Sequence, residues 1–395
     1  MKKKVISNVS WVGCIDWDLT KFHGDDFSID NGSSQNAYLI EEEKTVLIDT
    51  VWTPNRCDFI GNLKKEIDLN KIDMVVVNHA ESDHSGALPC LMQKLKKDTP
   101  IYCSAVCKNI LEGQYGKKDW NFKLVKTGDE VEIGNGKKLK FLDMKMLHWP
   151  DSMATFLTKD NVLFSNDAFG QHLAVEELFA DKANFEILNR EALKYFVNIL
   201  NPFSLILSKK LKEIAELNLP IEIIAPSHGA IWRKEPSYII KKYEEWANCY
   251  KENQITVLFD SMWGGTKKLA QNIAKEIFSK DKDVVVKVYN ISKADKNDVM
   301  VEVFKSKAIF VGSPTVCNSI TSNMAGFLEF LKQLKFRGKK AAVFGCYGWS
   351  GEGVKILYEK LKEAGFDVSD NMLSCLWNPF EEDFSKLSDF VESVF

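Results

Sequence analysis

Four side chains of metal-binding type fall within six positions of this chain. They are His79, Glu81, Asp83 and His84, in Val77-Asn78-His79-Ala80-Glu81-Ser82-Asp83-His84-Ser85-Gly86. The apolar run Met74-Val75-Val76-Val77 before them reads as a buried strand, and Ser85-Gly86 after them as a turn. A loop at the end of a strand can aim several side chains at one point. The second ligand position says most about the metal. Histidine there would offer mostly nitrogen, which suits zinc. Glu81 makes the set two imidazoles and two carboxylates, which suits iron or manganese better than a hydrolytic zinc pair.

The chain has six histidines, and further candidates share this placement. His148 ends an apolar stretch in Met146-Leu147-His148-Trp149-Pro150-Asp151-Ser152-Met153. Asp167 ends the strand-like run 162–167, and His228 follows the strand 221–225 in Ala225-Pro226-Ser227-His228-Gly229. One histidine so placed is ordinary. Seven candidates that each follow a strand and precede a turn build a site along one edge of a sheet sandwich. His172, five residues after Asp167, and His23 suit a supporting or pocket-wall role and stand outside the metal list.

Around these positions the chain reads as paired strands and helices up to about residue 250. A hairpin spans 37–40 and 45–48, and a second one 130–133 and 138–142. Strands follow at 155–157 and 162–164. Helices are expected at 55–66, 86–95, 105–115 and through a long region 190–217. The order is that of a four-layer αββα sandwich. The loop 181–189 is a candidate to overhang the metal site.

A polar joint at Lys251-Glu252-Asn253 divides residues 1–250 from 251–395, and the rhythm changes there. Strand-like runs at 255–259, 284–289, 308–311, 341–344 and 372–376 alternate with helical stretches at 266–278, 296–304, 324–334, 352–364 and 381–395. Such alternation predicts an α/β, doubly wound parallel sheet, whose ligands bind at the carboxyl ends of the strands. The first such end carries Asp260-Ser261-Met262-Trp263-Gly264-Gly265-Thr266-Lys267. Its hydroxyls, glycine amides and helix N-terminus form an anion cradle.

Composition excludes several other functions. The net charge of −3 comes from 52 basic and 55 acidic residues without a large block of either, so no nucleic-acid footprint is present. No apolar run of spanning or signal-peptide length occurs, so no membrane partner is expected. The nine cysteines, an odd number and scattered, fit reduced thiols of a cytoplasmic protein.

The ligand pattern His-x-Glu-x-Asp-His followed by His148, Asp167 and His228 resembles that of the flavodiiron proteins, or A-type flavoproteins. The segment His148-Trp149-Pro150-Asp151-Ser152-Met153 is similar to theirs as well, and the likeness runs from about Ala37 to the C-terminus. The resemblance implies a metallo-β-lactamase-like sandwich followed by a flavodoxin-like domain, with two non-haem irons held by His79, Glu81, Asp83, His84, His148, Asp167 and His228. It makes Asp167 the bridge, and one carboxylate can indeed hold two ions about 3.5–4 Å apart. The three carboxylates and a bridging hydroxide would nearly neutralise two ferrous ions. The loops after the first, third and fourth strands of the second region resemble those of a flavodoxin and imply FMN. Ser261, Met262, Trp263, Gly264 and Thr266 would surround its phosphate. Ser313, Pro314, Thr315 and Asn318 would line the ring, with Tyr347, Gly348, Trp349 and Gly351 opposite. Gly265 stands where relatives often carry serine.

The function this implies is reduction of dioxygen to water, of nitric oxide to nitrous oxide, or both, with the flavin refilling the irons. The resemblance also implies a head-to-tail homodimer or a tetramer. The chain ends at Phe395, straight after the fifth helix of the second region, and has no Cys-x-x-Cys pair of the kind a rubredoxin iron site needs. An external electron donor such as rubredoxin is therefore expected. One alternative is a metal-dependent hydrolase with a regulatory flavin domain, against which Glu81 argues. Another is a flavodoxin-like carrier whose first domain is only structural.

Overall fold

In the computed structural model, which describes residues 2–395, the chain forms two compact units. One comprises the residues up to Phe196 together with Leu205–Glu244; the other comprises Val197–Ser204 and Glu245–Phe395.

The first unit has two mixed sheets, one of seven strands and one of five. Alternation along the strands builds its layers. In Tyr38–Glu41, Thr45–Ile48 and Ile72–Val76, the residues Tyr38, Ile40, Val46, Ile48, Met74 and Val76 face a core shared with the five-stranded sheet. Ile133, Leu139, Phe141, Leu157, Val162 and Phe164 come from that other side. Leu39, Leu47 and Val75 face the opposite way. They pack on Phe59 and Leu63 of the helix Arg56–Glu66 and on Cys107 and Leu111 of the helix Ala105–Tyr115. Fully burying one such side chain contributes about 1.5–3 kcal/mol. On the outer face of the five-stranded sheet, the helices Ser204–Glu216 and Ser237–Ala247 stand over a cavity of about 520 Å³ lined by Leu163, Phe169, Leu211 and Ile240. The αββα expectation holds.

The long helix expected at 190–217 is broken. The helix Phe185–Tyr195 passes into a π-turn, Phe196–Leu200, and a short 3₁₀ turn, Asn201–Phe203, before Ser204–Glu216 begins. Pro202 is the local reason, since it lacks an N–H and cannot continue the helix before it. Residues 185–189, expected as loop, are the start of that first helix.

The second unit is a parallel sheet in the order Val285–Asn290, Gln254–Phe259, Ala308–Gly312, Lys340–Tyr347, then a last edge shared by Asp367–Val368 and Leu373–Leu376. This 2-1-3-4-5 order is the flavodoxin-type doubly wound arrangement, with its switch point beside the first strand. The last helix expected at 381–395 is two short ones, Glu381–Phe384 and Leu387–Glu392. Among the described residues no helix is long and apolar enough to cross a membrane.

Candidate functional site

The strand Ile72–Val76 leads through Val77 to Asn78, which locks the turn that presents His79. Its backbone N–H and side-chain amide donate to the two oxygens of buried Asp49, at 2.7 and 3.0 Å, and Thr155 Oγ1 donates to Asn78 Oδ1 at 2.7 Å. Asp83 and His84 lie in the one-turn helix Ser82–Ser85, and Thr50 donates through both N–H and hydroxyl to the His84 carbonyl. Asp167 follows the strand Val162–Asn166, and His228 follows Ile223–Pro226. Those two strands pair in parallel, which brings both residues to the same edge.

All seven sequence-predicted residues converge there, and they divide into two sets. His79 Nε2 and His148 Nε2 each lie 3.2 Å from Glu81 Oε2, and 3.8 and 3.5 Å from Asp167 Oδ2. His84 Nε2 and His228 Nε2 lie 3.3 and 3.1 Å from Asp83 Oδ2, and 3.2 and 3.4 Å from Asp167 Oδ1. Each set has two imidazoles and a carboxylate of its own, and Asp167 offers one oxygen to each. Asp83 Oδ1, His84 Nε2 and both Asp167 oxygens are buried and have no hydrogen-bond partner. Polar atoms this close that do not bond to one another suit a third party between them, because buried polar groups are otherwise almost always paired. The donors fit two divalent cations sharing one carboxylate.

The electrostatics agree. Burial opposes charge on His79, yet the hydrogen bonds it donates to Asp151 and Glu81 and the charge of Asp167 raise its pKa well above the usual value. His228 is likewise disfavoured by burial but is lifted by Asp167 and Asp83 to about 10. Asp167, though buried, is held well below the carboxylate range by His84 and His228. The field at this centre thus favours positive charge strongly.

The sequence offered His172 and His23 as supporting candidates, but not the groups that fix the ligand rings. Asp151 accepts from His79 Nδ1 at 3.2 Å and from the Ala80 N–H at 2.7 Å, so His79 presents Nε2 to the site. The Ser34 carbonyl accepts from His228 Nδ1 at 2.7 Å and does the same for that ring. The motif containing Asp151 was visible, but its role appears only through distance. His172 is fully buried, its Nδ1 2.8 Å from Ser33 Oγ, its ring 5.0 Å from that of His228 and its Nε2 unpartnered. Burial and the nearby His228 and His23 charges hold its pKa well below the usual value, so it stands as a neutral wall of the site. His23 Nδ1 lies 3.6 Å from Glu81 Oε1, at an opening of about 230 Å³ lined also by Lys21, Asp25 and Trp52. Tyr195, the last residue of its helix, stands with its ring 5.1 Å from that of His172.

In the second unit a pocket of about 360 Å³ opens at the carboxyl ends of the strands. Ser261, Met262, Trp263, Thr266, Pro314, Thr315, Tyr347, Gly348 and Trp349 line it, as expected, together with Trp377 and Asn378, which were not. An exposed tryptophan just beyond the strand Leu373–Leu376 was the available signal. The Thr266 hydroxyl is buried without a partner at the start of the helix Gly265–Lys280, as a phosphate would require. Gly264, whose φ is +92°, caps that helix and does not line the pocket. A Cβ at Gly265 would lie 3.0 Å from the Trp377 carbonyl and 3.1 Å from Cys346 Sγ, tighter than ordinary contact, so glycine suits this close approach. Ser313, Asn318 and Gly351 do not line the pocket. Ser313 Oγ accepts from the Thr321 N–H, and the Asn318 amide donates to Glu352. Gly351 lies under the Tyr347 ring. The aromatic slot and the phosphate cradle fit a flavin nucleotide.

Residues 33–229 match the ODP family beta lactamase, and residues 257–388 match flavodoxin. An anaerobic nitric oxide reductase flavorubredoxin of Vibrio vulnificus is 49% identical over 375 residues, covering 95% of this chain and 76% of the relative. Among solved structures, the rubredoxin oxygen:oxidoreductase of Desulfovibrio gigas superimposes with a TM-score of 0.96 at 34% identity, over 100% of this chain and 98% of that one. The flavodiiron protein of Giardia intestinalis gives 0.92 at 29% identity, over 100% and 97%. With the ligand edge and the flavin-type pocket on one chain, and likeness along almost its whole length, the chain belongs to the flavodiiron protein family.

Proposed function

We propose that this protein reduces nitric oxide to nitrous oxide, dioxygen to water, or both, using two irons refilled by FMN. The observation that carries the reading is the pair of donor sets that divide the two oxygens of Asp167. His79, Glu81 and His148 would hold one iron, Asp83, His84 and His228 the other, and Asp167 would join them. When bound, the irons take up and reduce the gas, and the flavin supplies them with electrons. The chain's own residues hold and insulate these groups. Near-complete burial of His79, Asp83, His84, Asp167 and His228 excludes bulk water, and the opening at His23 admits a small molecule. Ser261 and Thr266 would hold the flavin phosphate, and the Pro314–Thr315 and Tyr347–Trp349 loops would flank the ring. Ser313, Asn318 and Gly351 shape those loops from behind, and residues 1–250 form the diiron domain with 251–395 the FMN domain.

The name of the Vibrio vulnificus relative, at 49% identity, favours nitric oxide as a substrate, and that of the Desulfovibrio gigas protein keeps dioxygen beside it. The same names support an external rubredoxin as donor and give no support to the hydrolase alternative. The nine free cysteines suit the reducing cytoplasm. A head-to-tail homodimer, alone or paired into a tetramer, would bring each flavin to a partner's irons. The test is an anaerobic assay that follows donor oxidation with each gas in turn, on protein whose iron content has been measured. Stoichiometric zinc in an active native form, or no turnover with either gas, would sink the proposal.

A further inference from the structure

Two buried charged side chains of the first unit have no part in the site so far. Glu191 and Lys194, 2% and 1% exposed, stand on the helix Phe185–Tyr195. Burying a charge is costly unless it is well paired, so what these two hold is informative. Arg190 pairs with Glu191 at 2.8 Å, and beyond that pairing the two side chains hold Asp30 and Asn31, the start of one short segment, residues 30–35. Lys194 Nζ donates to Asp30 Oδ2 at 3.1 Å, and Asn31 Nδ2 donates to Glu191 Oε1 at 2.9 Å. Gly32 follows with a φ of +60°, and a Cβ there would lie 2.5 Å from the Asp16 carbonyl. Ser33 Oγ meets His172 Nδ1 at 2.8 Å. The Ser34 carbonyl accepts from His228 Nδ1 at 2.7 Å, and its hydroxyl accepts from the Gly229 N–H at 2.8 Å. Gln35 Oε1 accepts from the Trp52 N–H at 3.1 Å and from Asn55 Nδ2 at 3.0 Å.

Resting on the ligand assignment above, we propose that the segment 30–35 is a strap fixing His228, and that Glu191, Lys194 and Asp30 are positioning residues for the iron held by Asp83, His84 and His228. The distal nitrogen of a ligating histidine must be fixed for the ring to hold its metal. His79 is fixed by a carboxylate, Asp151, on a different loop. His228 is fixed by a backbone carbonyl, which is only as rigid as the segment that carries it. The Lys194–Asp30 ion pair and the Asn31–Glu191 bond anchor one end of that segment, antiparallel pairing with Cys14–Asp16 holds Ser33–Gln35, and the Gln35 side chain anchors the other end. The two iron positions are therefore supported by separate groups, and the strap serves one of them.

The experiment uses the iron- and FMN-loaded protein and measures release of ferrous iron to a coloured chelator, with Mössbauer spectra of the two irons beforehand. D30N, E191Q and K194M should each release one iron on the order of tenfold faster and leave the other iron and the FMN content unchanged. K194R should restore the native rate to within about twofold, because it keeps the ion pair with Asp30. D151N should speed release of the other iron, so the double variant E191Q/D151N should show two fast phases where each single variant shows one. Asp30 is half-exposed, so D30N keeps the test alive if K194M does not fold. Unchanged release in D30N and E191Q would overturn the strap, and so would equal loss of both irons. A native protein that binds no iron pair would overturn the ligand assignment instead, and the strap with it.

Discussion

Asp167 is where the two donor sets meet, one oxygen turned to each. Asp167→Ala should therefore cost both irons and lower gas reduction by at least about 100-fold, because neither set keeps its shared carboxylate. FMN should stay bound at full stoichiometry, since its pocket belongs to the other unit; iron and flavin analysis of one purified sample checks both halves. His228 gives a second expectation, with a definite sign. Its pKa rises from 6.5 to about 10 in the metal-free chain, so at neutral pH it holds a proton that iron must expel. The apparent ferrous affinity should rise about tenfold per pH unit for each proton expelled throughout the range below about 10, and flatten above it. Titrations at several pH values, with proton release measured directly, would expose an affinity that ignores pH. At this scale the metal candidates were legible because imidazole and carboxylate announce themselves by type and spacing. Ser34, which acts through its backbone carbonyl, was not, and no sequence pattern reports such a contact.

The loops that carry these residues are short, and they hold their shape through close packing. Gly86 follows the one-turn helix with Asp83 and His84, and a Cβ there would lie 2.4 Å from the Ser82 carbonyl and from the Thr53 nitrogen. Gly86→Ala should thus destabilise the protein by about 1–3 kcal/mol through overpacking and should reduce iron occupancy. Denaturant unfolding alongside iron analysis would test this, and a variant with native stability and iron content would contradict it. Strand positions were largely readable from alternation, and the two hairpins and the doubly wound order emerged as expected. The breaks were harder to read. Apolar spacing continues from residue 190 to 217, so periodicity alone gives one helix, whereas Pro202 and the turns before it divide the region. Trp377 escaped although the edge strand was expected at 372–376, because only the loops after the first, third and fourth strands were read as flavin loops.

For the molecule as a whole, the proposed external donor makes turnover depend on encounter. With NADH and oxygen alone, turnover should be slow; adding a rubredoxin and its reductase should raise it sharply, and the gain should shrink as salt rises. Fast NADH oxidation before any carrier is added would count against this. The proposed ligands also come from both sheets of the first unit, His79 to His84 from the end of one and His148, Asp167 and His228 from the other. Two ions at that edge would act as cross-links between segments far apart in sequence, closing large loops of chain. Iron would then set the lifetime of the polypeptide as well as its chemistry. Protein stripped by a chelator should be cut by a protease markedly faster than loaded protein, so that iron-starved cells would clear this chain early. Equal digestion rates would show that the two sheets hold together without the metal.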